Sequence, residues 1–134
     1  QHIEAQCKRL RILGFTGTPI IRGNLNAMDK SLLPSLQTVC TEILNNIAKH
    51  GKPGAFAFIL SVGPDAVRIF ASNLYNAAIN SAPENHYGTA LIQDFAQQHN
   101  GTMTINSENE EWSLSLTIPL AHQVKLMFSP TEKL

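Results

Sequence analysis

Several things are scarce in this chain, and each scarcity excludes something. There are two cysteines in 134 residues, Cys7 and Cys40. Two are too few for a disulfide framework, so a reducing, cytoplasmic setting is the expectation. There is no net charge, because ten Lys plus Arg offset ten Asp plus Glu. A neutral domain offers no broad attraction to nucleic acid or to an anionic membrane, and no nucleic acid partner is expected. Any phosphate it binds must be held locally, by backbone amides, a metal or a few placed side chains. There is no long apolar run: Ala55–Val62, with Ser61 inside it, is the longest. That is far short of the roughly 20 residues that span a bilayer. The start, Gln1-His2-Ile3-Glu4, lacks the charged and then apolar pattern of a signal peptide. It reads instead as the tail of an upstream helix.

What is present describes a folded domain. Apolar residues make up 43% of the chain, enough to argue against disorder at a length suited to one hydrophobic core. A helix over Gln1–Leu13 stops at Gly14, and Thr18–Leu25 is a modest strand. Asp29 or Ser31 is the candidate cap of a long helix over Ser31–His50, with Pro34 in its first turn. In that helix Leu36, Val39, Cys40, Ile43, Leu44 and Ile47 follow helical spacing. Gly51 supplies a C-terminal stop and Pro53 supports it. Ala55–Val62 and Ala66–Ser72 read as a hairpin around Gly63-Pro64-Asp65. Asn73–Tyr87 reads as a loop, and Gly88–His99 as a helix closed by Asn100-Gly101. Thr102–Ser107 and Trp112–Ile118 form a second hairpin around Glu108–Glu111. The order α-β-α-β-β-α-β-β predicts an α/β fold of two layers, an antiparallel or mixed sheet packed by helices on one face. Residues 121–134 read as a tail with one apolar cluster, Leu126-Met127-Phe128.

One helix carries the chemistry. Glu42, Asn46 and His50 are four apart and stack along one border of the apolar stripe. The fully exposed face falls to Thr38, Thr41, Asn45 and Lys49. A carboxylate plus an amide oxygen suits Mg2+, a hard cation that keeps several waters and takes few protein ligands. Lys49 and His50, in the last turn, are placed to reach a phosphate chain. Spacing alone favours an ordinary solvated face whose basic end complements the helix dipole, since such triplets are common on helices.

The run Glu42-Ile43-Leu44-Asn45-Asn46-Ile47-Ala48-Lys49-His50, ending an apolar helix before a Gly turn and a hairpin, resembles the N box of bacterial two-component sensor histidine kinases. It is most similar to the branch whose helix reads R-E-A-x-x-N-x-x-R-H. Two further pieces fall in that family's order. Asn73 stands where the family has the Asp of D-x-G, and Tyr75 stands where that Gly should be. Gly88-Thr89-Ala90-Leu91 stands at the G-x-G-L box, with Ala90 replacing its second Gly. The sequel of helix, Asn100-Gly101, strand, polar turn, strand and Pro119 matches the family's ending. The resemblance covers Ser31 to Pro119.

The resemblance implies a mostly antiparallel two-layer sandwich of the Bergerat type, shared with gyrase, chaperone and mismatch-repair ATPases. It implies three segments: residues 1–14 as the end of an upstream helix or linker, 15–120 as an ATP-binding catalytic domain, and 121–134 as a tail. The implied ligands are ATP and Mg2+. Asn46 would ligate the metal and Glu42 would order its water shell, making these two the catalytic pair. Lys49 and His50 would approach the phosphates. Asn73 would meet the adenine amino group, accepting from it without the charge of an Asp. Gly88, Thr89, Ala90 and Leu91 would line the phosphate side, and the Asn73–Tyr87 loop would act as a lid. The acceptor would be a histidine on a separate dimerisation domain of the same homodimeric receptor, with a response regulator downstream. No stretch here has that domain's H-D or H-E motif. Tyr75, Ala90 and the missing Asp point to an alternative, a degenerate module that binds ATP weakly and serves as a protein-interaction domain. A second alternative is an anti-sigma-type protein serine kinase of the same fold.

Overall fold

The structure, a computed structural model, describes residues 2–25, 28, 30–75 and 89–120. Eight elements follow the expected order: α1 (His2–Ile12), β1 (Ile20–Gly23), α2 (Leu32–His50), β2 (Gly51–Val62), β3 (Ala66–Tyr75), α3 (Thr89–Gln98), β4 (Thr102–Glu108) and β5 (Glu111–Pro119). The expected cap Asp29, the box residue Gly88, loop residues 76–87 and the tail with Leu126-Met127-Phe128 lie outside the described residues.

The five strands form one mixed sheet in the order β1-β2-β3-β5-β4. Only the β1–β2 pair is parallel; the other three are antiparallel. Alternation decides which face is covered. Phe56, Phe58 and Leu60 of β2, Val67, Ile69 and Ala71 of β3, and Trp112, Leu114, Leu116 and Ile118 of β5 are all buried. Their neighbours Arg68, Phe70 and Ser115 are exposed. A strand with period 2 can present only one of its faces to a core. Against that face pack Ile3, Cys7 and Leu10 of α1, six or more residues of the α2 stripe, and Ile92, Phe95 and Ala96 of α3, in a single cluster. The result is two layers with all three helices on one side.

Two helices stop in the same way. After α1, Phe15 N–H bonds the Leu10 carbonyl (3.0 Å) and Gly14 N–H the Arg11 carbonyl (3.1 Å). After α3, Gly101 N–H bonds the Ala96 carbonyl (2.7 Å) and Asn100 N–H the Gln97 carbonyl (3.3 Å). Both are paired closures of the Schellman kind, with Gly14 (φ +101°) and Asn100 (φ +59°) in the left-handed position.

The structure corrects several boundaries. Gly51 does not end α2 with a left-handed turn; it is extended (φ −78°, ψ 161°) and is already the first residue of β2. Its N–H still closes on the Ile47 carbonyl, so helix passes to strand without a loop. Gly51 pairs with Tyr75, and the next paired residue, Phe56, pairs with Asn73. The residues between bulge out of the ladder around Pro53, which has no N–H to give it. Consequently β3 runs on to Tyr75, and Asn73 is a strand residue rather than the start of a loop. At the other end of α2, Ser31 is helical (φ −73°, ψ −24°) and makes no side-chain capping hydrogen bond.

Candidate functional site

The expected row on α2 is neither submerged nor free in solvent. Glu42 and His50 are half-buried, while Asn46 is 2% exposed. The surroundings explain why this side of the helix is sheltered. Ser35, Val39, Glu42 and Asn46 follow an i, i+4, i+7, i+11 spacing and share one side of α2. Ser35 and Val39 border a groove of about 490 Å3 whose other wall is Leu91, Asp94, Phe95 and Gln98 of α3. The row therefore continues along the α3 side. Asn45 lies on the opposite side, where its Oδ1 accepts from Arg9 Nη1 of α1 at 3.2 Å. The two adjacent asparagines are thereby told apart: one joins two helices, the other faces the row. Because α1 packs there, Thr41 and Asn45 are half-buried rather than fully exposed as expected.

Both polar atoms of the Asn46 side chain, Oδ1 and Nδ2, are buried and have no hydrogen-bond partner among the described residues. Over nine in ten buried polar groups in folded proteins are paired, and an unpaired one costs about 1–3 kcal/mol. An amide oxygen one helical turn from the Glu42 carboxylate is the kind of pair that suits a hard cation, with the remaining positions taken by water or a ligand. Among the described residues no cluster of three or more His, Cys, Asp or Glu exists to hold a metal by protein ligands alone.

Asn73 reaches the same end of α2 from the sheet. It extends the inward row of β3 beyond Val67, Ile69 and Ala71, and is 5% exposed. The bulge in β2 brings Gly51 opposite Tyr75, so the Asn73 carboxamide lies against the Gly51 backbone. A Cβ on Gly51 would collide with Asn73 Nδ2 and with the Ile47 carbonyl. Glycine is required at position 51 for room, not for a special backbone angle. The Asn73 amide also donates from Nδ2 to the Leu74 carbonyl at 2.7 Å. Tyr75, two residues on, is 8% exposed and belongs to the core.

The remaining candidates are more scattered. Lys49 is exposed on the outer side of α2. Thr89 opens α3 and is half-buried, and Ala90 is exposed. Leu91 is 42% exposed and lines the groove beside Ser35, Thr38 and Val39, about two helical turns before Asn46. The structure thus places Glu42, Asn46 and His50 along one side of α2 and Asn73 against the last turn of the helix at Ile47 and Gly51, while Lys49 is exposed and Leu91 lines the groove between α2 and α3. Sequence reasoning missed the steric part played by Gly51. Its only trace in the sequence is a glycine immediately after the basic pair, which is also what an ordinary helix stop looks like.

No family model and no curated protein sequence matches this chain. Solved structures do. The chain is similar to the Acinetobacter baumannii histidine kinase AdeS with a TM-score of 0.66 and 11% identity, over 89% of this chain and 61% of that one. It is similar to the Erythrobacter litoralis blue-light activated histidine kinase with a TM-score of 0.62 and 11% identity, over 90% of this chain and 41% of that one. Against the catalytic domain of histidine kinase ThkA, in a nucleotide-free form, the TM-score is 0.61 at 14% identity, over 89% of this chain and 92% of that one. The chain spans less than two thirds of the first two kinases and nearly all of the isolated catalytic domain. In architecture, then, this chain has the α/β fold of histidine kinase catalytic domains.

Proposed function

We propose that this chain is the nucleotide-binding catalytic domain of a sensor histidine kinase, holding Mg-ATP for phosphoryl transfer to a histidine on a separate dimerisation domain. The observation that carries the reading is the Asn46 carboxamide, buried one helical turn from Glu42 with neither pole partnered among the described residues. A metal–triphosphate would satisfy it. Asn46 Oδ1 would take one position on Mg2+, and Glu42 would hold the waters of its shell. The bound ion would supply charge neutralisation on the transferring group, which with positioning is most of what phosphoryl transfer requires. His50, one turn further on, would border the phosphates, and Lys49 has the length to add a positive charge from the rim. Asn73 would accept from the base. Thr89 and Ala90, with Gly88 before them, would offer helix N-terminal amides to phosphate oxygens. The parent protein would be a cytoplasm-facing homodimeric receptor that passes its phosphoryl group to a response regulator.

Titration with a fluorescent ATP analogue, with and without Mg2+, tests this. Saturable binding that Mg2+ strengthens is expected, and Asn46→Ala is expected to remove the Mg2+-dependent part while leaving a folded domain. Unchanged Mg2+ dependence in that variant would remove Asn46 from the metal site.

One observation favours a second reading. The Tyr75 ring is buried on the inward face directly beyond Asn73, where a base approaching the amide would need space. A degenerate domain that has filled its base pocket and serves as a docking module would look like this. Absence of saturable binding at millimolar nucleotide would favour it.

A further inference from the structure

The Asn73 carboxamide is held in one orientation. Its Nδ2 donates to the Leu74 carbonyl at 2.7 Å. The same nitrogen occupies the space that a side chain on Gly51 would fill, next to the Ile47 carbonyl, and that missing Cβ would also come within 3.1 Å of the Phe15 ring. A primary amide has one donor pole and one acceptor pole. Turning it over would set Oδ1 against the Leu74 carbonyl oxygen at the distance of a hydrogen bond with no proton between them. The orientation is therefore fixed by the backbone on one side and by the absence of a side chain on the other, leaving Oδ1 as the pole available to a ligand.

We infer that Gly51 is a positioning residue that sets base selectivity: by making room for the Asn73 amide nitrogen, it commits Oδ1 to accept from an exocyclic amino group. The inference rests on reading this site as a nucleotide site. A 6-aminopurine offers the required N–H; a 6-oxopurine places an oxygen against Oδ1 instead. A site built around one hydrogen bond discriminates strongly against the analogue that leaves it unmade.

The test compares ATP with inosine triphosphate, which carries the 6-oxo group, by competition against a fluorescent ATP analogue in Mg2+. The wild-type chain is expected to prefer ATP by about tenfold or more, the scale of one hydrogen bond. Gly51→Ala, which evicts the amide from its recess, is expected to bring the two nucleotides within about twofold while Mg2+ still strengthens both. Equal binding of both nucleotides by the wild type, or a folded Gly51→Ala that keeps its preference, overturns the inference. If Gly51→Ala does not fold, Asn73→Leu decides. It removes the acceptor that the inference invokes, so ATP and inosine triphosphate are expected to bind within about twofold of each other. A folded Asn73→Leu that keeps the preference for ATP overturns the inference. Mg2+-dependent binding without base preference sinks only this inference; no Mg2+-dependent binding of either nucleotide sinks the nucleotide reading beneath it.

Discussion

Asn46 is the residue on which the fold and the proposed function disagree. Both poles of its amide are buried without partners among the described residues; such burial destabilises the native state, and an apolar group of similar shape carries no such penalty. Asn46→Leu is expected to raise stability by about 1–3 kcal/mol in urea denaturation, with an unchanged denaturant slope, while losing Mg2+-dependent nucleotide binding. A loss of stability would show that the amide is satisfied within the protein itself. Tyr75 makes the opposite case: it completes the core, and it would crowd a base in the proposed site. Tyr75→Gly is expected to strengthen binding of the ATP analogue at some cost in stability; weaker binding would mean the ring supports the base instead. At this scale the sequence was informative in part. Helical spacing put Asn46 on a border of the apolar stripe, and the structure buries it there. Asn73 misled, because an asparagine beside Ser72 and before a polar stretch has the chemistry of a turn former. Its strand conformation comes from pairing with Phe56 and Trp112, tertiary partners that local pattern does not reveal.

At the scale of elements, periodicity sufficed for type and order, and the misses sit at junctions. The two left-handed stops at Gly14 and Asn100 were legible because the residues that tolerate that conformation are few. The α2–β2 junction was not, since glycine there answers a packing demand. The turn between β4 and β5 shows a different mismatch. Asn109 (φ +54°) and Glu110 (φ +63°) are both left-handed, as a two-residue hairpin of the I′ kind demands, and such turns favour Asn followed by Gly. Glu110 gives its carbonyl to Tyr75 N–H (2.9 Å), a bond any residue keeps. Among the described residues its side chain makes a solvent-exposed pair with Lys52 at 3.5 Å, and such pairs contribute little. Glu110→Gly is therefore expected to stabilise the domain by about 0.5–1 kcal/mol, raising the thermal midpoint by about 2–4 °C. A lower midpoint would mean that the Lys52 pair outweighs the backbone relief.

At the scale of the whole molecule, one core serves all three helices, and both thiols sit inside it. Burial pushes the Cys40 thiol up to about 12. It also raises Cys7, against the pull of the nearby Arg11 charge. Neither is a thiolate at neutral pH, so neither is nucleophilic while the domain is folded. A thiol reagent is expected to label both only through opening of the structure, at rates that rise together in denaturant. Rapid labelling of Cys7 alone in native buffer would show that α1 detaches independently. The passage from α2 into β2 bears on motion as well. A hinge needs a few backbone bonds free to rotate. At Gly51 the N–H is committed to the last helical turn, and the residue is already paired with Tyr75 in the sheet. Helix and sheet are thus welded at this junction, and any opening and closing of the domain must be taken up by other parts of the chain.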